Sequence, residues 1–127
     1  MIKKSKIQWP ARHEWMHDYL MRKPGAFFER KESWDALLYR VHGKIFAFLL
    51  CHSNGELLVN IKCDPFISIE FREACPDVRP GWHMNKLHWL SMHLNGEIPR
   101  DMAEELLDIS YDLVVAGLPL KIRNSLE

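Results

Sequence analysis

Three consecutive apolar segments separated by tight-turn signals constrain the fold of this chain more than any other feature. Trp34 to Val41 is strand-like, and His42-Gly43 joins it to Lys44 to Cys51, which reads KIFAFLLC. A run that is apolar almost throughout predicts a strand in the centre of a sheet rather than at its edge. Asn54-Gly55 predicts a turn, because both residues tolerate positive φ, and it leads into Glu56 to Lys62. The segments therefore predict three antiparallel strands in sequence order.

Helix signals lie on both sides of these strands. Asp64-Pro65 suits a helix start, since Asp accepts hydrogen bonds at an N-cap and Pro has a fixed φ. Predicted helices cover residues 10–22, 65–75 and 99–116, and further strands cover 77–81 and 87–94. The order α-β-β-β-α-β-β-α predicts an α+β two-layer sandwich, with helices on one face of an antiparallel five-stranded sheet. We expect one domain, residues 1–127.

Charge and cysteine content narrow the class of protein. The chain has 17 Lys and Arg against 17 Asp and Glu, so strong non-specific attraction to nucleic acid or anionic membrane is not expected. Cys51, Cys63 and Cys75 are odd in number and lack C-x-x-C spacing, which is typical of reduced thiols in a cytoplasmic protein. No segment has the roughly 20 apolar residues of a membrane span, and none has the pattern of a signal peptide. We therefore expect a cytoplasmic protein without a membrane partner.

Four short segments carry a family resemblance. They are Lys23-Pro24-Gly25-Ala26, Lys62-Cys63-Asp64-Pro65, residues 80–89 (PGWHMNKLHW) and residues 110–119 (SYDLVVAGLP), the last followed by Lys121 and Arg123. In this order and at these distances they resemble the MmcQ/YjbR family. The resemblance implies a fold like that of type III secretion chaperones and CyaY-like proteins. It also implies DNA binding through a double-wing motif, and no established catalytic residues.

The PGWHMNKLHW segment is the main candidate for ligand contact. It brings basic, amide and aromatic side chains together next to Arg79, a composition suited to phosphates, bases or an acidic peptide. The structural alternative is that His83 and Asn85 satisfy backbone groups where the chain enters a strand. The candidate nucleic-acid-binding residues are Lys44, Arg79, His83, Asn85, Lys86, His88, Trp89, Lys121 and Arg123.

Residues 13–17, HEWMH, fit the pattern H-E-x-x-H, in which two helical histidines bind zinc and the glutamate acts as a base. A zinc protease also needs a third ligand, and no such motif follows at a suitable spacing. HEWMH also lies outside the segments that resemble the family. We therefore expect His13, Glu14 and His17 on a solvated helix face, with Trp15 and Met16 packed inward, and we predict neither a metal nor a catalytic site.

Two hypotheses of function remain. The first is a non-enzymatic DNA-binding protein that makes weak, shape-directed contacts and needs no cofactor. The second is a protein- or peptide-interaction module, with itself as one possible partner. It rests on the secretion-chaperone resemblance and on Trp9, Trp34, Trp82 and Trp89, which are many large aromatics for a small core. The segment around Ser110 and Tyr111 is interpreted as packing.

Overall fold

The computed structural model describes residues 7–81, 85 and 87–126. Its elements are α1 (Glu14–Met21), β1 (Ala26–Lys31), β2 (Ala36–Val41), β3 (Lys44–Cys51), β4 (Leu57–Lys62), α2 (Pro65–Ala74), β5 (Val78–Pro80), β6 (Trp89–His93), α3 (Arg100–Ala116) and α4 (Leu120–Ser125). Short 3-10 turns precede α1 at Ala11–His13 and β2 at Glu32–Trp34.

The strands form one open antiparallel sheet in the order β1-β2-β3-β4-β6-β5. The predicted α+β class is confirmed, and so is the central place of β3. The prediction of five strands is wrong, because the sheet has six, and the predicted element order lacked both β1 and the short closing helix α4.

Strand β1 was missed because its sequence, AFFERK, has no clean alternation of apolar and polar residues. It pairs with β2 along its whole length, from Ala26 opposite Val41 to Lys31 opposite Ala36. An edge strand needs only one neighbour, so partly exposed and charged residues are tolerated there. The predicted strand start at Trp34 is also wrong. Trp34 lies in a 3-10 turn, and Asp35 follows with φ 50°.

The helices pack on one face of the sheet. Tyr39, Ala47, Ile61 and Leu90 are successive neighbours in one row across four strands, and all are fully buried. Apolar side chains from α1 and α3 fill the space above this row, among them Met16, Leu20, Ala103, Leu106, Leu107 and Val114. Burial of these side chains supplies the main stabilisation of the fold.

The opposite face carries a second, smaller cluster. Leu38 and Phe48 are neighbours there, and Trp89 packs against the cluster from β6. The row continues into Asn60 and Ser91, both fully buried, and the Ser91 hydroxyl donates to Asn60 Oδ1. This face therefore brings the start of β6 next to the centre of the sheet.

Helix α3 is tied to the sheet by one buried side chain. Ser110 Oγ donates to the carbonyl oxygen of Phe46 at 2.5 Å and accepts from the backbone N–H of Lys62 at 2.7 Å. The predicted cap of α2 is confirmed, since Asp64 Oδ1 accepts from the N–H of Phe66 at 2.9 Å. The Ser110 hydrogen bonds and the Asp64 cap therefore position the end of β4 at Lys62 and the start of α2 that follows it.

Candidate nucleic-acid interface

Two adjoining depressions form a cleft where the end of β4, the start of β6 and helix α3 meet. We name them lobe one, of about 520 Å³, and lobe two, of about 420 Å³. Lys62, Trp89 and Leu113 line both lobes, so the two depressions adjoin at these three residues. Lobe one adds Cys63, Asp64, Pro65, Asn85 and His88, and lobe two adds Arg40, Gly43, Lys44, Ile45, Val114, Gly117 and Leu118.

Trp89 is held in the cleft by backbone bonds on both sides. Its N–H donates to Asn85 O at 3.0 Å, and its carbonyl oxygen accepts from Gly81 N–H at 2.8 Å. A Cβ on Gly81 would lie 2.7 Å from Trp89 Cβ and 2.9 Å from its carbonyl oxygen, so this close approach requires glycine. The indole also meets Phe48 edge-on, with 5.7 Å between ring centroids. The family-like segment thus builds the floor of the cleft.

Lys62 places a positive charge close to Trp89. It pairs with Trp89 across the sheet, and its Nζ lies 5.9 Å from the Trp89 ring centroid. The Ser110 hydroxyl fixes the backbone at Lys62, so the ammonium and the indole are positioned by the same sheet end. A cation beside an aromatic ring suits both phosphate contact and base stacking.

The balance of charge in the cleft is positive. Lys44 and Lys62 have no carboxylate partner within the described ranges, whereas Arg40 pairs with Glu29 at 3.2 Å. Asp64 is the acidic side chain among the lining residues, and its Oδ1 accepts the N–H groups that begin α2. The cleft therefore offers two lysine ammonium groups to an anionic ligand.

Cys63 also lines lobe one but is not suited to nucleophilic chemistry. Its side chain is buried, and burial, with a smaller effect from the nearby Asp64 carboxylate, raises the pKa of the Cys63 thiol to about 11. A thiol with this pKa stays protonated at neutral pH, whereas reactive cysteines have a lowered pKa.

The residues predicted from sequence do not all meet at this cleft. Lys44, Asn85, His88 and Trp89 do line it. Arg79 lies on the edge strand β5, where its guanidinium is 3.8 Å from Asp77. Lys121 and Arg123 are on α4, and Arg123 lines a different depression together with Pro24 and Tyr111. His83 and Lys86 lie outside the described residues.

Sequence reasoning missed Lys62 and Leu113 as lining residues. In the sequence, Lys62 indicates only the end of a strand, and Leu113 is only one of the apolar positions at helical spacing in the last helix. Leu113 is 41% exposed and faces the cleft instead. A lysine directly after a buried strand was the available signal, but only strand pairing places it beside Trp89.

The prediction for HEWMH is partly wrong. Met16 is buried and Glu14 is exposed, as predicted, but His13 is only 9% exposed and belongs to the 3-10 turn before α1. The His13 Nε2 lies 3.3 Å from the carbonyl oxygen of Leu94. Burial, and then the charge of Arg12, lower the pKa of His13. The described residues hold no group of three or more potential metal ligands.

The second histidine of this motif is held by a buried hydrogen-bond chain. Trp9 Nε1–H can only donate, so it donates to Tyr39 OH at 2.8 Å. The same Tyr39 hydroxyl lies 2.6 Å from His17 Nδ1, so His17 is hydrogen-bonded to the core. The two histidines thus serve separate packing contacts.

The fold and the cleft define an α+β protein with an open antiparallel sheet, helices on one face, and a basic cleft with a tryptophan floor. The sequence model of the YjbR family matches residues 21–113. The chain therefore belongs to the YjbR family, as the four sequence segments predicted.

Relatives and solved structures agree with this assignment. The YjbR protein of Escherichia coli K12 is 34% identical over 108 residues, which cover 85% of this chain and 91% of that protein. YbdF of Escherichia coli O157:H7 is 37% identical over 81 residues, 64% of this chain and 66% of that protein. The crystal structure of Deinococcus radiodurans DR2400 has a TM-score of 0.78 at 24% identity, covering 99% of this chain and 90% of that chain, so it shows the shared fold. Within the described residues, the helices are all too short or too polar to cross a membrane.

Proposed function

We propose that this protein binds nucleic acid in the cleft around Trp89 and that binding involves no catalysis. The single observation that carries the proposal is the convergence of Lys44 and Lys62, neither with an acidic partner in the described part of the chain, on one aromatic floor. The resemblance to the MmcQ/YjbR family, with its expected DNA binding, supports the same proposal.

The charge distribution predicts weak binding that depends on local contacts. Formal net charge is zero, so the whole molecule does not attract a polyanion from a distance. Two lysines can neutralise about two phosphates, which is a small electrostatic contribution compared with the six to ten phosphate contacts of strong binders. Affinity must then come from contacts inside the cleft, where Trp89, Asn85 and His88 face the ligand.

Fluorescence anisotropy with labelled DNA at low and moderate salt tests the proposal. We expect binding at low salt that weakens as salt rises, and we expect it to fall sharply in the Lys44→Ala, Lys62→Ala double variant. Lys121→Ala is the matched control, because Lys121 is also exposed but is not among the residues that line either lobe. No binding at low salt, or equal loss in the control, would refute the proposal.

A second candidate function is self-association through α2. This helix exposes Phe66, Ile67 and Ile69, whose side chains are 81%, 40% and 43% accessible. An apolar helix surface of this kind is a common interface, and it keeps the interaction-module hypothesis open. Fewer tryptophans are available for such an interface than the sequence indicated, because Trp9 is buried in the core. Light scattering over a range of protein concentrations tests self-association, and a monomer at every concentration would exclude it. Self-association through apolar side chains would also be far less sensitive to salt than DNA binding.

A further inference from the structure

We infer that the ligand of the cleft is an unpaired nucleotide, with its base in lobe one and its phosphate in lobe two. The inference rests on the proposed function and specifies which form of nucleic acid the cleft accepts. The same chemistry is present in a single-stranded segment and in a free mononucleotide, and the experiment below separates these sources.

The two lobes differ in the groups they offer. Lobe two has Lys44 and Arg40 at its wall and no acidic residue among its described lining residues. Lobe one has Asn85 and His88. Asn85 Oδ1 already accepts the N–H of Leu87 at 2.9 Å, so, as far as the described residues show, its amide N–H groups are the ones left for a ligand. Base carbonyl oxygens and ring nitrogens accept such hydrogen bonds, whereas a phosphate is better placed beside lysines.

Trp89 and Lys62 line both lobes. With the base in lobe one and the phosphate in lobe two, these two residues would contact the part of the nucleotide that links base and phosphate. The Lys62 ammonium lies over the indole, 5.9 Å from the ring centroid, where it can reach the linking phosphate, and the base would stack on the part of the indole that lines lobe one. Stacking on an aromatic side chain accepts any base, because every base has a π-face. The arrangement thus favours nucleotides in general over a particular sequence.

Exposed apolar side chains in the cleft and next to it in the sequence favour an unpaired base over duplex DNA. Leu113 lines both lobes and is 41% exposed, and Leu87, next to His88, is 60% exposed. A duplex keeps its bases stacked inside and would present charged backbone to these apolar side chains. An unpaired base would instead bury its faces against them.

Competition among matched ligands tests this inference. The probes are a labelled oligothymidine, an abasic strand of equal length and charge, a hairpin duplex, and thymidine monophosphate. We expect the oligothymidine to bind at least about tenfold more tightly than the abasic strand or the duplex, since one stacked base contributes about that much. Thymidine monophosphate should compete for the same site. Competition at a concentration like that of the strand indicates a free nucleotide as the ligand, and weaker competition indicates a strand.

Two variants test whether Trp89 is the residue that makes the cleft prefer a strand with bases over an abasic strand. Trp89→Leu should bring the oligothymidine and abasic affinities to within about twofold of each other, while Trp89→Phe should keep most of the difference. Thermal unfolding of both variants checks that the fold is retained when the contact between Trp89 and Phe48 is altered. If the abasic strand or the duplex binds as tightly as oligothymidine, and all binding is lost in the Lys44→Ala, Lys62→Ala variant, the unpaired-base inference is wrong and the proposed function stands. If no probe binds, the proposed function itself is wrong.

Discussion

Replacing Ser110 with Ala should destabilise the fold by about 3 kcal/mol. The Ser110 hydroxyl is fully buried and serves two backbone groups, the carbonyl of Phe46 at 2.5 Å and the N–H of Lys62 at 2.7 Å. The variant leaves both without this partner, and an unsatisfied buried polar group costs about 1–3 kcal/mol. Total stability of a domain is about 5–15 kcal/mol, so the variant should fold but with a much lower urea midpoint.

Urea unfolding followed by far-ultraviolet circular dichroism measures this cost. Ser68→Ala is the matched control, because Ser68 is also a buried helical serine but lies in α2 and is not the side chain that bonds Phe46 and Lys62. We expect the control to change stability by less than about 1 kcal/mol. Equal losses in the two variants, or a loss below about 1 kcal/mol for Ser110→Ala, would refute the argument that this hydroxyl anchors α3 to the sheet.

Three further predictions follow from the described contacts. Burial lowers the pKa of His13 from its ordinary value of 6.5, so the unfolded state takes up a proton first and the stability of the fold should decrease as pH drops below 6.5. In urea unfolding at several pH values, His13→Gln should reduce this pH dependence of the midpoint, and an unchanged pH dependence would contradict the prediction. Gly81→Ala should cost about 1–3 kcal/mol and weaken oligothymidine binding, because its Cβ would displace Trp89; wild-type values in urea unfolding and anisotropy would contradict it. Two lysines predict a slope of about −1.4 for log affinity against log salt, and Lys44→Ala should reduce it to about −0.7, whereas an unchanged slope places Lys44 outside the interface.

Local signals sufficed for the centre of the sheet and failed at its edges. The apolar run of β3 and the Asp64-Pro65 start of α2 are encoded in adjacent residues, so the sequence alone predicted them correctly. The edge strand β1 has a mixed sequence and depends on pairing with β2. It therefore has no strong signature of its own.

The candidate site likewise combines residues that the local sequence identifies with residues that only the folded structure brings to the site. Asn85, His88 and Trp89 are neighbours in the sequence, and the prediction that they act together agrees with their common place in the cleft. Lys62 joins them only through strand pairing. The burial of His13 also depends on a partner far along the chain, since Leu94 is 81 positions away. Periodicity within one helix contains no information about such a partner.

The most direct test of nucleotide binding at Trp89 is the ¹H–¹⁵N spectrum of the tryptophan side chains during a titration with oligothymidine. We expect a saturable shift of the Trp89 indole resonance. The Trp9 indole, which is buried and bonded to Tyr39, and the Trp34 indole, which lies in the turn before β2, should stay unchanged. An unshifted Trp89 resonance at saturating ligand, or a shift confined to Trp9 or Trp34, would contradict the account.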